Sequence, residues 1–321
     1  MKIAISLALL CSGLISYTGA AAQEFPQRAI TIIDPYPAGG STDVMSRVLG
    51  ERISKSLGKP VIVEAKPGAA GTIGANFVAR SQPDGHTLLI GNPAPNAIAA
   101  STFSKLPYDV EKDFQPVTIA TMVPTMLCVA ANSPLKSPAD VVALGKSGGN
   151  VNFGSSGTGG LSHIVGEMFN KEAGVKFTHV PYRGAAPLLV AAIAGEVHFA
   201  VVSGPDARPH VRGGKLRCVA NAGARRSPQF PDVPTLAESG LPAVKADVWF
   251  GYFAPAGTPR AIVDKLKAEI ANAMADPAVK ARFEEMAMTP VASSPDEFAA
   301  RIKADRQMYG QIVKAMGLQL D

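Results

Sequence analysis

The chain has 321 residues, of which 47% are hydrophobic and 18% charged, and its 31 glycines and 26 prolines are spread along the whole length. This composition is too apolar for a disordered chain and too rich in glycine and proline for a coiled coil or a helical bundle. The formal net charge is +5, but no run of basic residues is longer than Arg225-Arg226. Nucleic-acid binding normally requires a concentrated basic face, so we exclude that class of partner, and the length predicts two domains.

The first 22 residues have the pattern of a secretory signal peptide. Lys2 provides a positive start, an apolar stretch covers 3–15, and small residues precede a cleavage site near Ala22. The apolar stretch is shorter than the roughly 20 residues that a bilayer span requires. We therefore expect export to the periplasm and a soluble mature protein from which residues 1–22 have been removed.

Short β-rich runs then alternate with helical patterns. The first unit is predicted to contain a strand at 29–33, a helix at 44–57, a strand at 61–64, a helix ending near Arg80 and a strand at 87–91. Apolar residues recur at helical spacing in the first helix, and Gly58 provides its stop signal. An alternation of strand, loop and helix predicts an α/β fold with a mostly parallel sheet.

The same alternation restarts after Asp113. The second unit is predicted to contain an extended stretch at 117–131 interrupted by Pro124, a helix from about Pro138, a strand at 151–154, a helix at 161–173, a strand at 176–180, a helix at 185–194 and strands at 197–202 and 216–222. A second extended segment at 246–254 is followed only by helices. The last of these opens with Ser294 as a predicted N-cap and Pro295 at the first helical position.

Two α/β units connected by two extended segments predict two lobes with a cleft between them. One lobe would hold residues 23–124 and 246–321, and the other residues 125–245. A chain that crosses twice between lobes forms a hinge, which can close around a ligand. We expect the hinge positions near residues 124 and 246.

Cys128 and Cys218 are the cysteines that remain after removal of the signal peptide, and each lies in an apolar, strand-like run. They are either two buried thiols or a disulfide between neighbouring strands, which an oxidising compartment permits. There is no CxxC pair, and the five histidines are dispersed. We therefore predict neither a metal site nor a cofactor.

Four loops at the expected carboxyl ends of strands are rich in Gly, Ser, Thr and Pro, at 37–43, 67–72, 91–94 and 154–160. Three of them lead directly into helices, whose first amides and partial positive charge suit an anion. Each loop taken alone is compatible with an ordinary turn. Ligands of open α/β sheets bind at these strand ends, so several such loops in one cleft favour a binding site for an anion.

The same loops do not match the signatures of known enzyme sites. Gly154-Ser155-Ser156-Gly157-Thr158 departs from GxSxG at its last position. His163 and His179 border the loops, but no cysteine or paired carboxylate is placed to use them. We predict no catalysis, with a secreted hydrolase or isomerase built on Ser155, Ser156 and His163 as the alternative.

Short motifs occur in a characteristic order over nearly all of the mature chain. They include Tyr36-Pro37-Ala38-Gly39-Gly40-Ser41-Thr42-Asp43 and the segments 67–71, 83–85, 106–109, 155–157, 179–184, 214–217, 231–235 and 254–259. This ordered set resembles the extracytoplasmic solute receptors of tripartite tricarboxylate transporters, known as Bug-type receptors. The resemblance implies a type II periplasmic-binding-protein fold, no catalysis, and capture of a small carboxylate by first-lobe loops, partly through ordered water. It also implies delivery to membrane permease subunits, and a ligand sensor without a permease is the alternative.

Loops and resemblance together define the candidate ligand-binding residues. They are Tyr36, Pro37, Gly39, Gly40, Ser41, Thr42, Ala69, Ala70, Asn92, Ser155, Ser156, Gly157, Thr158, His163, Arg183 and Ser203. Gly40, Ser41 and Thr42, with Ala69 and Ala70, are expected to hold one carboxylate of the ligand. We expect the receptor to be a monomer.

The type of ligand is inferred from the charges near the cleft. The strand that leads into it ends at Val201-Val202-Ser203, with no acid before Asp206, and Asp43 is expected to be committed to the start of the first helix. A ligand ammonium would therefore lack a partner, which is costly in a buried site. We expect an organic carboxylate without an amino group, most simply a dicarboxylate, with an aromatic carboxylate as a second possibility that Tyr36 could cover.

Overall fold

The computed structural model describes residues 25–320, so the predicted signal peptide lies outside the described residues. Up to the first crossing the elements are β1 (Ile30–Asp34), α1 (Ser41–Leu57), β2 (Val61–Ala65), α2 (Thr72–Ala79), β3 (Thr87–Gly91), α3 (Ala99–Thr102) and β4 (Phe114–Val123). The middle of the chain forms β5 (Thr125–Ala130), α4 (Pro138–Lys146), β6 (Asn152–Ser155), α5 (Leu161–Ala173), β7 (Thr178–Pro181), α6 (Ala185–Ala194), β8 (Phe199–Ser203), α7 (Gly204–Arg212) and β9 (Leu216–Asn221). The last part forms β10 (Val248–Pro255), α8 (Arg260–Ala275), α9 (Pro277–Glu285), β11 (Thr289–Pro290) and α10 (Pro295–Met316).

The strands form a six-stranded sheet in the order β11-β4-β10-β3-β1-β2 and a five-stranded sheet in the order β7-β6-β8-β5-β9. In the first sheet β1 pairs in parallel with both β2 and β3, so that Ile32 lies between Val63 and Leu88. The strand β10 enters antiparallel between β3 and β4, and all eight of its residues are buried. The predicted α/β class is confirmed, with a sheet that is parallel on one side and antiparallel on the other.

The five-stranded sheet is built from the middle of the chain alone. Here β6 pairs in parallel with β7 and β8, and β5 runs antiparallel to β8 and β9. The register between β5 and β9 places Cys128 opposite Cys218, and the two are joined by a disulfide. This decides between the two alternatives for the cysteines in favour of the bridge.

The chain passes between the two sheets twice, first through the single residue Pro124 and later through the long irregular segment 222–247. Pro124 separates β4 from β5, and its carbonyl accepts a hydrogen bond from the Gly204 amide at the start of α7 (2.7 Å). The return passage leads from β9 to β10. Val123 and Leu127, on either side of Pro124, belong to one buried apolar cluster. The two sheets therefore share a continuous core close to the crossing.

Local sequence accounts for several helices. In α1 the buried Met45, Leu49 and Ile53 form one face, and Gly58 ends the helix in the left-handed conformation (φ 64°). The helix α10 begins with a capping box in which Ser294 and Glu297 cap each other's backbone amides. Within residues 25–320, no helix has both the length and the apolar character needed to cross a bilayer.

Three helices, the short α3 together with α7 and α9, are absent from the sequence prediction, and the latter two contain proline. The helix α7 begins at Gly204 and contains Pro205 and Pro209, residues that normally mark a loop, and α9 begins with Pro277. In both cases a side chain caps the first turn, from Ser203 and Asp276 respectively. Proline in the first turn costs no hydrogen bond, because those amides have no partner within the helix.

Candidate functional site

A cavity of about 490 Å³ lies between the two sheets and receives wall residues from both. Predicted binding residues in its wall are Tyr36, Pro37, Gly39, Gly40, Ser41, Thr42, Ala70, Asn92, Ser156, Gly157, Arg183 and Ser203. Residues 36–42 follow β1, Asn92 follows β3 and Arg183 follows β7, so the carboxyl ends of parallel strands meet here. Loops that lie far apart in the sequence thus form one site, as the strand topology requires.

Four predicted residues lie outside the cavity wall: Ala69, Ser155, Thr158 and His163. Ser155 is completely buried, and its Oγ lies 2.6 Å from Nε2 of His179. His163 is buried as well, and its Nδ1 accepts a hydrogen bond from the Gly159 amide (3.1 Å). Ser155 and His163 contact the loop 154–160 from its buried side and lie outside the cavity wall, so their role in ligand binding stays a prediction.

The Ser155–His179 contact is the arrangement that a hydrolase would need, but its surroundings do not favour catalysis. Burial lowers the pKa of His179 and His163 to about 4, and for His163 the charge of His179 acts in the same direction. The carboxylate near this pair, Glu167, lies 3.9 Å from His163 and not beside His179. A nucleophile buried outside the cavity has no access to a substrate bound in it.

Three helices begin in the cavity wall directly after a glycine. They are α1 after Gly40, α5 after Gly160 and α6 after Gly184. Glycine has no side chain with which to cap the first free amides of a helix, whereas α4 and α10 are capped by serine. The three helix starts therefore present main-chain donors and partial positive charge towards the cavity.

The loop after β2 has an unusual backbone. Ala69, Ala70 and Gly71 follow one another with φ values of 45°, 54° and 93°. Left-handed alanines cost free energy and persist only where surrounding contacts hold them. One such contact is the hydrogen bond from the Thr72 hydroxyl to the Ala69 carbonyl (2.9 Å). The result is a tight turn that places Ala70 in the cavity wall while Ala69 points to solvent.

The aromatic ring of Tyr36 is held in the wall by its hydroxyl. The hydroxyl donates to Oδ1 of Asn92 (3.0 Å), and the Ala94 amide donates to the same oxygen (2.9 Å). Burial raises the pKa of Tyr36, so the phenol stays protonated. Asn92 thus fixes an aromatic face against the cavity, which suits the apolar body of a ligand.

Beneath the first loop lies Asp34, a completely buried acid that the sequence analysis missed. Its Oδ1 accepts hydrogen bonds from the Tyr36 amide (3.0 Å) and the Thr42 hydroxyl (3.1 Å). Its Oδ2 is buried without a partner among the described residues. Burial raises the pKa of Asp34 to about 7, while these two hydrogen bonds oppose the rise. The sequence feature that could have indicated this role is the position of Asp34, an acidic residue at the very end of an apolar strand.

Asp43 behaves as expected from its position in the first turn of α1. Its carboxylate accepts a hydrogen bond from the Gly39 amide (3.0 Å) and forms a salt bridge with the Arg47 guanidinium (2.8 Å). The hydrogen bonds from Arg47 and Gly39 outweigh the effect of desolvation and lower the pKa of Asp43. This carboxylate is therefore committed to the helix start and its loop.

Asp206 overturns the expectation that no acid reaches the cleft. It lies in the cavity wall, where its carboxylate accepts the Ser41 amide (3.1 Å), the Ser41 hydroxyl (3.3 Å) and the Ser203 hydroxyl (2.6 Å). Burial raises the pKa of Asp206 in spite of these hydrogen bonds. The interaction joins Ser41 at the start of α1 to Asp206 in α7, 165 positions apart in the sequence, so only the folded chain reveals it.

Arg183 is an exposed cation of the cavity wall. Within residues 25–320 its guanidinium has neither a hydrogen-bond partner nor an ion-pair partner. The described residues also contain no group of three or more His, Cys, Asp or Glu side chains that could hold a metal ion. The cavity therefore combines main-chain donors, hydroxyls, one unpaired arginine and one paired aspartate.

Comparison with known proteins places this arrangement in a family. The model of the tripartite tricarboxylate transporter family receptors matches residues 45–318. Protein BugT of Bordetella pertussis is 36% identical over 301 residues, which cover 93% of this chain and 92% of BugT.

Solved structures agree with the sequence comparison. An adipate-bound protein of Rhodopseudomonas palustris is 31% identical, with a TM-score of 0.88 over 92% of this chain and 100% of the other. MatC from Rhodopseudomonas palustris, with bound malate, is 33% identical, with a TM-score of 0.85 over 90% of this chain and 100% of MatC. These likenesses confirm the predicted periplasmic-binding-protein fold. The chain belongs to the family of tripartite tricarboxylate transporter receptors.

Proposed function

We propose that this protein is a periplasmic receptor that captures a small organic carboxylate in the cavity between its sheets and delivers it to a tripartite tricarboxylate-type membrane permease. One observation carries the proposal: an unpaired arginine, Arg183, shares the cavity wall with the starts of α5 and α6. Free amides at helix starts and a guanidinium are donors that match carboxylate oxygens.

The size and lining of the cavity support a small ligand. A volume of about 490 Å³ lies in the range of small-molecule sites, and Tyr36 supplies an apolar face beside the polar groups. The malate and adipate bound to the two structural neighbours are both dicarboxylates. We therefore propose a dicarboxylate as the first candidate, with an aromatic carboxylate as the second. The argument against an amino group no longer holds, because Asp206 lies in the wall.

The proposed mechanism is capture by closure. Each sheet with its helices would form one lobe, with residues 23–124 and 246–321 in the first and residues 125–245 in the second. Movement about the connections near 124 and 246 would open and close the cavity, and the receptor would act as a monomer. Export by the signal peptide would place it in the periplasm. We propose no catalysis, since Ser155 is buried away from the cavity.

Calorimetry and thermal shift with a panel of mono-, di- and tricarboxylates test the proposal. A ligand at 100 times its Kd stabilises the folded protein by about 2.7 kcal/mol, which is readily measured. Replacing Arg183 with Gln is expected to weaken binding at least about tenfold, which corresponds to one lost charge-assisted hydrogen bond. Arg225→Gln, which changes an exposed arginine outside the cavity wall, is the matched control and should leave affinity unchanged.

Two results would contradict the proposal. The first is that no carboxylate stabilises the wild-type protein. The second is that the ligand is converted to a product detectable by mass spectrometry, as the hydrolase alternative requires. Transport of the bound carboxylate by vesicles containing the permease separates a transport receptor from a sensor.

A further inference from the structure

Asp34 is a buried acid whose carboxylate contacts two residues of the cavity wall. Its Oδ1 accepts hydrogen bonds from the Tyr36 amide (3.0 Å) and the Thr42 hydroxyl (3.1 Å), and both of these residues line the cavity. The Tyr36 phenol is bonded to Asn92 and stays protonated. Asp34 itself is completely buried outside the wall, and its Oδ2 has no partner among the described residues. The acid can therefore act on a bound ligand through Thr42 without touching it.

The acidic groups around Asp34 oppose its ionisation. Asp43 on α1 and Asp206 on α7 lie close enough for their charges to raise the pKa of Asp34, in addition to the larger effect of burial. The charge of His210 on α7 acts on Asp206. On β10, the phenol of Tyr252 stays protonated, because burial raises its pKa. None of these groups supplies a positive charge that is bonded to the Asp34 carboxylate.

The basic side chains nearby are bound to other acids. Arg47 forms a salt bridge with Asp43 (2.8 Å), and the ammonium of Lys66, whose amide donates to the Asp34 carbonyl, pairs with Glu64. The neighbouring strand β3 has no titratable side chain. Within residues 25–320, no basic side chain forms an ion pair with Asp34. A buried acid without a counter-charge favours its protonated form, which agrees with its pKa of about 7.

The hydroxyl of Thr42 links the protonation of Asp34 to the cavity. This hydroxyl has one hydrogen, and an ionised Asp34 occupies it, because a carboxylate can only accept. A protonated Asp34 can instead donate to the Thr42 oxygen, which frees the Thr42 hydrogen for an anion in the cavity. A ligand carboxylate bound through this hydroxyl would lie about 5 Å from the Asp34 carboxyl group, at the end of two hydrogen bonds in series. Two negative charges at this distance repel each other, so an anionic ligand and the proton on Asp34 favour each other's binding.

We propose that Asp34 takes up a proton when the receptor binds its carboxylate ligand, and that the protonated acid releases the Thr42 hydroxyl hydrogen to the ligand. Asp34 is a positioning residue in this scheme, since it acts through Thr42 and the loop above it. The inference rests on the proposed function, with a ligand carboxylate at Gly40, Ser41 and Thr42, and adds a coupling of capture to protons. The receptor then binds its ligand more tightly in a mildly acidic periplasm than in an alkaline one.

Calorimetry between pH 6 and pH 8 tests the inference, with succinate, malate and adipate as probes. The affinity of the wild-type protein should fall about five- to tenfold over this range, as expected for one group that titrates near pH 7. At pH 7, binding heats measured in buffers of different ionisation enthalpy should show the uptake of about half a proton per bound probe. Asp34→Asn keeps the shape of the side chain but cannot ionise, so it should show neither the proton uptake nor the fall in affinity.

Two further variants separate Asp34 from other titratable groups. His210→Gln and Asp206→Asn each change a titratable side chain of the cavity wall. Whatever they do to the affinity itself, both should keep the proton uptake of the wild-type protein. Loss of the uptake in either of them, or its persistence in Asp34→Asn, would assign the proton to another group and overturn the inference.

A measurement on the wild-type protein decides the matter even if Asp34→Asn fails to fold. The carbon-13 resonance of the Asp34 carboxyl group, followed by NMR against pH, should have a titration midpoint that rises by about one pH unit when adipate is added. A midpoint that adipate does not change, or a wild-type affinity that does not depend on pH, overturns the inference. Failure of the proposed function is distinct, because then none of the three probes binds at any pH.

Discussion

The imidazole rings of His163 and His179 stack with their centroids 3.7 Å apart and their planes 11° from parallel. His163 accepts the Gly159 amide, and His179 lies 2.6 Å from the Ser155 hydroxyl, so the pair supports the loop whose outer face lines the cavity. Two stacked imidazoles can be accommodated when both are neutral, because two charged rings at this distance would repel each other. The pair therefore makes the stability of this loop depend on pH.

The first prediction concerns acid. Burial lowers the pKa of His163 and His179 to about 4, below the value of 6.5 in the unfolded chain. Between these values the unfolded chain binds more protons, so the stability that the pair contributes is complete above pH 6.5 and is lost as the pH falls towards 4. The Tm difference between wild type and His179→Gln should accordingly shrink from pH 7 to pH 4.5. A Tm difference for His179→Gln that stays constant over this pH range would contradict the prediction.

The second prediction has the opposite sign. Burial raises the pKa of Asp34 from 3.8 to about 7, so the folded state binds the extra proton and stability is lost as the pH rises from 4 to 7. The cost of ionising this buried acid is on the order of 4 kcal/mol. Asp34→Asn should therefore become more stable relative to wild type as the pH rises, measured as Tm between pH 5 and pH 8. A Tm difference between Asp34→Asn and wild type that does not change with pH would contradict the prediction.

The third prediction compares a side chain added at Gly40, in the cavity wall, with one added at Gly91, in the packed core. The first should affect ligand affinity, and the second should affect stability. A side chain at Gly40 would meet only the Pro37 carbonyl at 3.5 Å, and the φ of −73° suits any residue. Gly40→Val should thus preserve Tm but weaken carboxylate binding at least about tenfold, by narrowing the cavity. At Gly91 a Cβ would lie 2.3 Å from Oδ1 of Asn96 and 2.6 Å from the Phe253 ring, so Gly91→Ala should cost about 1–3 kcal/mol of stability. Unchanged affinity in Gly40→Val would remove Gly40 from the binding site.

The fourth prediction concerns the disulfide between Cys128 and Cys218. It joins β5 to β9 across 90 positions of sequence, and closing a loop of this length in the unfolded chain contributes about 2–4 kcal/mol. Reduction should lower the Tm of the wild-type protein in thermal melts with and without a thiol reductant. The double variant Cys128→Ala/Cys218→Ala should melt at a lower temperature and ignore the reductant. An equal response of both proteins to the reductant would speak against a bridge.

Several helices of the fold could be predicted from local sequence patterns. The helix predicted at 161–173 is α5 to the residue, and the capping sequence at Ser294 marks the start of α10. Helix formation at these places depends on apolar spacing and capping residues no more than four positions apart. Interactions over so short a distance can be recognised directly in the sequence. The proline-containing α7 was missed because its composition is that of a turn, while its first turn is stabilised by the Ser203 cap.

The loops that line the cavity were predictable for a similar reason. Glycine-rich segments after β1, β2 and β6 indicated main-chain donors at strand ends, and Gly40, Ala70 and Gly157 do lie in the wall. Which side chains of a loop face inward was not predictable. Ser155 and Ser156 are neighbours, yet Ser155 lies under the loop beside His179 and Ser156 lies in the cavity wall, because successive residues of a strand end point to opposite faces.

The sequence by itself determined the α/β class, the family of the chain and the main-chain chemistry of its binding loops, since these depend on periodicity and on residue types at short spacing. Only the tertiary structure decided that Asp206 reaches Ser41 and that Asp34 is buried with an unpartnered oxygen. The first outcome depends on how the two halves of the fold meet, because its partners are 165 positions apart. The second depends on how the loop after β1 folds over the end of that strand. The pKa of an acid follows from its burial and from the charges that the fold brings near it, and neither is encoded in the residues beside it in the chain.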